Sequence, residues 1–516
     1  MNEGNHTVTP PLTQRRAGVC LHITSLPGRY GIGEAGDEAQ AFVDALSRMG
    51  IGVWQFLPLG PTGYGDSPYQ PLSTFAGNEM LIDVATIIRA GLVTSSEADS
   101  LLSLPSEFVD YGRLIPLKSA LLNRAVGRFH VQADSDIKAA FDRYVDEHDE
   151  AWLHDYALFR VLKSKHEERA WPGWSPEYTN RDQPALRKIE QDAAQQIENW
   201  KILQFLLARQ WQRLHKYAAE QNVSLFGDLP FYVSLDSADA WANRDILSLD
   251  RNGLPNRVAG VPPDYFSKDG QLWGNPVYDW DYHARTSYHW WVDRLRLAAD
   301  QCDFVRIDHF RGFESYWSVP AGAETARDGE WHKGPGNAIF DVLQSSLGGL
   351  PIVAEDLGVI TSEVDALRER HGIPGMKVLQ FEIARDDFEP EDIERNSVCY
   401  TATHDNDTTV GWFHGGDHDT RSPSDIRKTQ KKALSVTGGS VDTIHTDMIR
   451  LAFATRAQIA IAPLQDYLGL DSDARMNVPG STDANWRWRV TSEQLSPAFL
   501  DSVRQLVDES NRLAPA

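Results

Sequence analysis

Eight short apolar runs, separated for the most part by helical patterns, limit what this chain can fold into. They are Gly18–Ile23, Gly52–Leu59, Ser224–Leu229, Phe304–Asp308, Pro351–Glu355, Met376–Phe381, Ser397–Ala402 and Ile459–Leu464. Each has the bulk and length of a buried strand. Between them the apolar spacing turns helical, as in Glu34–Met49, Phe205–Gln221, Tyr288–Ala299 and Ser362–Arg370. Strand and helix in alternation make a parallel sheet, and eight such units predict an α/β fold of the closed (β/α)8 TIM barrel type. A doubly wound open sheet is the rival. It is weakened because no G-x-G-x-x-G follows a first strand and because polar residues gather at the C-terminal ends of several strands.

Two gaps are too long to be loops. About 165 residues separate the second run from the third. This stretch predicts a mostly helical insertion over 91–205, with Trp152, Tyr156, Phe159 and Val161-Leu162 at helical spacing and a Pro/Gly/Trp loop at Ala170–Gln183. A second insertion, 231–285, is loop-rich, with turn signals at Asn252-Gly253, Pro262-Pro263, Asp269-Gly270 and Asn275-Pro276. The whole chain, 1–516, is read as one barrel domain carrying these insertions, with a frayed Met1–Arg15 and a closing helix over Ser496–Asn511.

Charge and composition exclude several partners. Fifty basic against 73 acidic residues leave a net charge of −23, which repels phosphate backbones and anionic lipid, so neither nucleic acid nor membrane is expected. No run approaches the roughly 18 apolar residues of a membrane span, and Met1–Arg16 lacks a signal-peptide core, which predicts a cytoplasmic protein. Cys20, Cys302 and Cys399 lie far apart beside apolar runs and read as reduced, packed thiols. His414-Gly-Gly-Asp417-His418-Asp419 imitates a metal cluster, but its glycines and flanking charges read as a solvated loop. Neither metal nor cofactor is expected.

The strand ends carry the chemistry. In Phe304-Val-Arg306-Ile-Asp308-His309, Arg306 and Asp308 share one strand face, so the cation lies beside the carboxylate. Asp228 ends the third run, Glu355 the fifth, and His404-Asp405 follows the seventh. In a barrel these points converge on one face, where carboxylates of neighbouring strands suit a double displacement at a sugar carbon. Each segment alone has a plainer reading: a structural Arg–Asp pair, a helix N-cap at Glu355-Asp-Leu-Gly358, a polar turn at His404-Asp-Asn-Asp407.

Three of these segments, Arg306-Ile-Asp-His-Phe-Arg311, Val353-Ala-Glu-Asp-Leu-Gly358 and Thr403-His-Asp-Asn-Asp407, resemble the signatures of the 4-α-glucanotransferases (amylomaltases, disproportionating enzymes), relatives of the α-amylase superfamily. The resemblance runs from Arg16–Gly28 and Tyr30–Gly33 through Gly63–Gln70, Phe226–Pro230, Gly260–Phe266 and Gly274–Pro276 to Asn477–Gly480 and Asn485–Arg489. Ile23 and Cys20 depart from its first segment, where a Pro and an aliphatic residue are expected. It implies Asp308 as nucleophile, Glu355 as general acid/base, and Asp405, with His404, gripping the sugar in the cleavage subsite. Asp405 is preferred to Asp407 because the family motif puts the carboxylate directly after His.

The resemblance also implies that Arg306 keeps Asp308 ionised and that Asp228 contacts a sugar hydroxyl, although a structural acceptor is an alternative for Asp228. His309 and Asn485 are counted with the substrate-binding residues. The rings of Tyr64, Tyr69, Tyr265, Phe266 and Trp273 sit in Gly/Pro-rich loops that cannot bury them in a regular core. They suit the C–H faces of glucose, a protein-interaction patch being the alternative. By the same resemblance the Gly260–Phe266 loop arches over the cleft, where it is expected to hold an acceptor against its rings.

Three functions fit: a retaining transferase moving segments of α-1,4-glucans to a glucan or glucose acceptor through a β-glycosyl-aspartate, a hydrolase with the same three carboxylates, and a silent glucan-binding protein. The carboxylates disfavour the third, and the resemblance favours the first. The expected partners are α-1,4-glucan oligosaccharides and glucose, with the protein a monomer or weak homo-oligomer.

Overall fold

The computed structural model describes residues 14–263, 268–481 and 484–514. Its main sheet holds eight parallel strands: Arg16–Cys20, Val53–Gln55, Ser224–Leu229, Phe304–Ile307, Ile352–Ala354, Gly375–Val378, Ser397–Tyr400 and Ile459–Pro463. They pair in chain order, and the first returns to the eighth in register from Arg16↔Ile459 to Cys20↔Pro463. Between the fifth and sixth, Ala354 N–H donates to the Pro374 carbonyl at 2.8 Å, bringing the sheet round to a nearly closed (β/α)8 barrel. All eight apolar runs are barrel strands. Several leave the sheet earlier than the sequence predicts: Met376–Phe381 pairs only to Val378, then turns helical as Leu379–Glu382. Leu379 and Gln380 are buried there, so apolar bulk alone does not mark the change.

Period-two alternation sorts the side chains. Phe226, Phe304, Val353, Met376, Val378, Val398, Tyr400, Ile459 and Ile461 fill the barrel interior, while their chain neighbours Leu225, Val305, Ile352, Cys399 and Ala460 pack outward under the helices. Each buried Phe contributes on the order of 2 kcal/mol, and the Phe226 and Phe304 rings meet at 4.5 Å. Gly18 makes room inside the first strand, because a Cβ there would lie 2.8 Å from Ile461 Cγ1. The same parity, carried upward from Phe226, Phe304 and Val353, turns Asp228, Arg306, Asp308 and Glu355 inward at the C-terminal face.

The seam between the first and eighth strands is stapled by Arg512, just past the closing helix. Arg512 is wholly buried and donates to the carbonyls of Phe453, Thr455, Ala457, Gln458 and Arg16, while its own carbonyl accepts Ala17 N–H. The closing helix, Pro497–Glu509, is N-capped by Ser496.

Between the second and third strands lie the helices Tyr111–Gln132, Ser135–His148, His154–Lys165, Gln183–Asp192 and Ala194–Glu220. A buried ion pair ties them to the barrel: Lys118 Nζ donates to Glu34 Oε1, and to the Met80 carbonyl at 2.7 Å. Burial pushes the Glu34 carboxyl up to about 7 despite the lysine.

The second insertion keeps long loops but also supplies strands that its turn signals do not announce. Arg257–Val261 and Gln271–Pro276 join Ser315–Pro320 and Glu330–Lys333, from beyond the fourth barrel strand, in a four-stranded antiparallel sheet. Gly260, Gly274 and Pro276 hide the strand signal, and half of the sheet comes from another segment. No helix among the described residues is long and apolar enough to cross a membrane.

Candidate active site

Asp228 and Arg306 are register partners on the third and fourth barrel strands. Arg306 Nη1 donates to both Asp228 oxygens, at 2.8 and 2.7 Å, and Nη2 donates to Asp308 Oδ1 at 2.7 Å. The Asp228 and Arg306 side chains are buried, whereas Asp308 is 34% exposed and so reachable from the cleft. Burial pushes the Asp228 carboxyl up, and the Arg306 charge opposes this. One guanidinium thus serves an interior carboxylate and an open one, a geometry that its fixed fork of donors permits.

Asp308 and Glu355 directly follow the paired residues Ile307 and Ala354, which makes them neighbours across adjacent strands. Asp308 N–H donates to the Leu229 carbonyl and Glu355 N–H to the Ile307 carbonyl, each at 3.0 Å. His309 takes a left-handed conformation, φ 48°, and its N–H donates to Glu355 Oε2 at 2.7 Å. Leu357 N–H donates to Glu355 Oε1 at 3.0 Å. Burial, reinforced by the Asp308 charge, pushes the Glu355 carboxyl up to about 7, against the pull of Arg306 and these two N–H groups.

A third carboxylate comes from past the seventh strand. Asp405 is half exposed, its Oδ1 lying 3.4 Å from His404 Nε2 and accepting Asn477 Nδ2–H at 2.6 Å. The His404 ring stacks on Tyr69 at 5.0 Å, and the Tyr69 hydroxyl donates to Asp228 Oδ2 at 2.7 Å. Contacts therefore run unbroken from Asp405 through His404, Tyr69, Asp228 and Arg306 to Asp308. Asp407 is engaged elsewhere, accepting the Ser472 hydroxyl at 2.7 Å.

The remaining predicted residues divide. Trp273 sets its ring at 4.8 Å, edge to face, on His309. His309 is buried, which pushes its imidazole down to about 4, and its Nε2 has no hydrogen-bond partner among the described residues. A neutral ring with a free nitrogen suits a sugar hydroxyl. Tyr64 opens the short turn Tyr64–Asp66. Tyr265 and Phe266 lie outside the described residues. Asn485 bonds its own loop, accepting Val478 N–H at 2.9 Å and donating to the Ser481 carbonyl at 2.8 Å, so its amide braces that turn.

Three further residues join the site that sequence reasoning did not single out. Asn477 holds Asp405; Trp486 lies 5.9 Å from Tyr69 and 6.0 Å from His404; His22, at the end of the first strand, is pushed down to about 3 by burial, with His404 adding to the effect. His22 obeys the strand-end rule that found Asp228 and Glu355 and was legible by it.

Fold and site together define a class: a (β/α)8 barrel whose strand-end carboxylates gather at the C-terminal face, where barrel enzymes carry their active sites. A family model described as 4-alpha-glucanotransferase matches residues 21–495. A 4-alpha-glucanotransferase of Synechocystis sp. is 45% identical over 492 residues, covering 94% of this chain and 95% of that one. One of Thermus thermophilus is 42% identical over 508 residues, covering 97% and 99%. The solved structure of the amylomaltase from Streptococcus agalactiae in complex with acarbose superposes with a TM-score of 0.91 at 34% identity, covering 97% of this chain and 100% of that one. The chain belongs to the 4-alpha-glucanotransferase family.

Proposed function

We propose that the enzyme transfers segments of α-1,4-glucans by double displacement between Asp308 and Glu355. Asp308 attacks the anomeric carbon of the donor while Glu355, protonated, gives its proton to the departing O4, leaving a β-glycosyl ester on Asp308. Glu355, now a carboxylate, takes the proton of an incoming 4-hydroxyl. That oxygen attacks the same carbon, the ester bond breaks, and the α configuration is restored. Asp405 and His404 hold the hydroxyls of the transferred sugar, and Trp273 and His309 flank it.

The observation that carries this reading is the unequal surroundings of two adjacent carboxylates. Arg306 donates directly to Asp308, whereas Glu355 is pushed up to about 7 and, among the described residues, receives only backbone N–H groups. A nucleophile must be charged and an acid must hold a proton, and these sites suit those states. The test is covalent. Rapid quenching with an α-glucosyl fluoride, followed by proteolysis and mass spectrometry, should place one glucosyl unit on the peptide containing Asp308. An adduct on Glu355, or on neither, would overturn the assignment.

Maltodextrins as donors, with glucans or glucose as acceptors, follow from the family. A cytoplasmic setting, with the chain a monomer or weak homo-oligomer, is supported by three free buried thiols, which suit a reducing compartment, and by a net charge of −23, which opposes self-association.

A further inference from the structure

The loop Thr401–Thr409, which carries His404 and Asp405, begins and ends on one buried carboxylate. Asp466 Oδ2 accepts the Thr401 hydroxyl at 2.6 Å and the Thr409 hydroxyl at 2.7 Å, while Oδ1 accepts Thr409 N–H at 2.7 Å. All three residues are 0% exposed. Burying a carboxylate is unfavourable unless donors compensate it, and three donors converge here. Asp466 belongs to Leu464–Tyr467, the helical turn that follows the eighth barrel strand, and Tyr467 beside it donates to the Gly18 carbonyl in the first strand at 3.0 Å. The carboxylate is therefore fixed to the barrel wall, and the loop hangs from it.

Inside the loop the chain is braced against absorbing a shift of its ends. The Thr403 hydroxyl donates to Asn406 Oδ1 at 2.7 Å, and Asp405 N–H donates to Thr403 Oγ1 at 3.3 Å. Further along, Gln380 Nε2–H donates to the Asp407 carbonyl at 2.9 Å. These bonds tie Asp405 to Thr403 and Asn406 within the loop and the loop to Gln380.

We infer that Asp466 is a positioning residue for glucosyl transfer: by holding Thr401 and Thr409 it sets where Asp405 and His404 meet the sugar being transferred. The inference rests on the role given to Asp405 under Proposed function. Hydrogen bonds to that sugar strengthen as it distorts toward the oxocarbenium-like transition state, so a misplaced Asp405 costs kcat more than it weakens ground-state binding.

The experiment removes one hydroxyl at a time, with Thr401→Val, Thr409→Val, their Thr→Ser counterparts and Asp466→Asn. Steady-state kinetics are measured with maltotriose and with an α-glucosyl fluoride. Each Val variant should lose about tenfold in kcat with both donors at nearly constant KM, each Ser variant should stay near wild type, and Asp466→Asn should lose at least as much as either Val variant. In an Asp405→Ala background the Val substitutions should have little further effect, because the group they position is gone. Wild-type kcat in both Val variants, or the same tenfold loss repeated without Asp405, would overturn the inference and leave the catalytic reading standing. A loss rescued by the fluoride would move the effect to proton donation by Glu355 and also overturn it. Wild-type kcat in Asp405→Ala itself would overturn the role of Asp405, and this inference with it.

Discussion

Arg306 reaches Asp308 at 2.7 Å through one terminal nitrogen while the other is committed to Asp228. A lysine ammonium cannot span both carboxylates in this way. Arg306→Lys should give up a charge-assisted hydrogen bond worth roughly 1.5–3 kcal/mol, lowering kcat on the order of 10- to 100-fold in glucose release from maltotriose. Wild-type kcat in this variant would detach the pairing from catalysis.

Loss of the nucleophile and loss of the acid should not look alike. Asp308→Ala should be inactive by orders of magnitude with every donor, since no ester can form. Glu355→Gln should fail with maltotriose yet still be glycosylated by an α-glucosyl fluoride, whose leaving group needs no proton. The ester should then accumulate, because no base remains to activate the acceptor. Burst kinetics with the fluoride check this, and equal inactivity of both variants would sink the division of roles.

The Glu355 carboxyl stands at about 7 instead of the ordinary 4.5, so the acid holds its proton below about pH 7 and loses it above. Transfer efficiency, kcat/KM, with maltotriose should therefore fall up to tenfold per pH unit on the alkaline side. With the fluoride donor that limb should be absent.

The same shift has a stability consequence of definite sign. The native state disfavours ionised Glu355, so wild type should lose stability as pH rises from about 4.5 to about 7 and be level with respect to this group beyond. Glu355→Gln cannot ionise. Its advantage in melting temperature over wild type should grow across that interval, and an advantage independent of pH would contradict the shift.

Lys118 carries a prediction about the helical insertion. Lys118→Ala leaves Glu34 buried without its cation and should destabilise the protein by about 3–5 kcal/mol. The double variant Glu34→Gln/Lys118→Met removes both charges and should recover most of that loss. Thermal or urea unfolding of the three proteins decides between this and additive losses.

Much of this site was legible because two rules act together. Bulk and alternation marked Phe304–Asp308 and Pro351–Glu355 as strands, and a barrel sends its strand ends to one face. The shared position of Asp308, Glu355, Asp228 and Arg306 follows from that, while the roles given to them come from the family resemblance. What stayed hidden depends on pairing between distant segments. Asn477 meets Asp405 across 72 positions, and nothing local to either residue announces it. The antiparallel sheet was missed for the same reason, its strands being short and contributed by both sides of the fourth barrel strand. Asn485, in a signature segment, hydrogen-bonds the backbone of its own turn, a contact that its sequence neighbours do not announce.

The buried Arg512 bears on how the molecule is made. Ribosomes deliver the chain from its N-terminus, so the first strand waits for the eighth, and Arg512 follows the eighth before it can staple the seam. Until then the Arg16–Cys20 edge offers unpaired N–H and C=O groups to any neighbouring strand. Any change that delays or displaces Arg512 should therefore prolong the time for which the Arg16–Cys20 edge stands open.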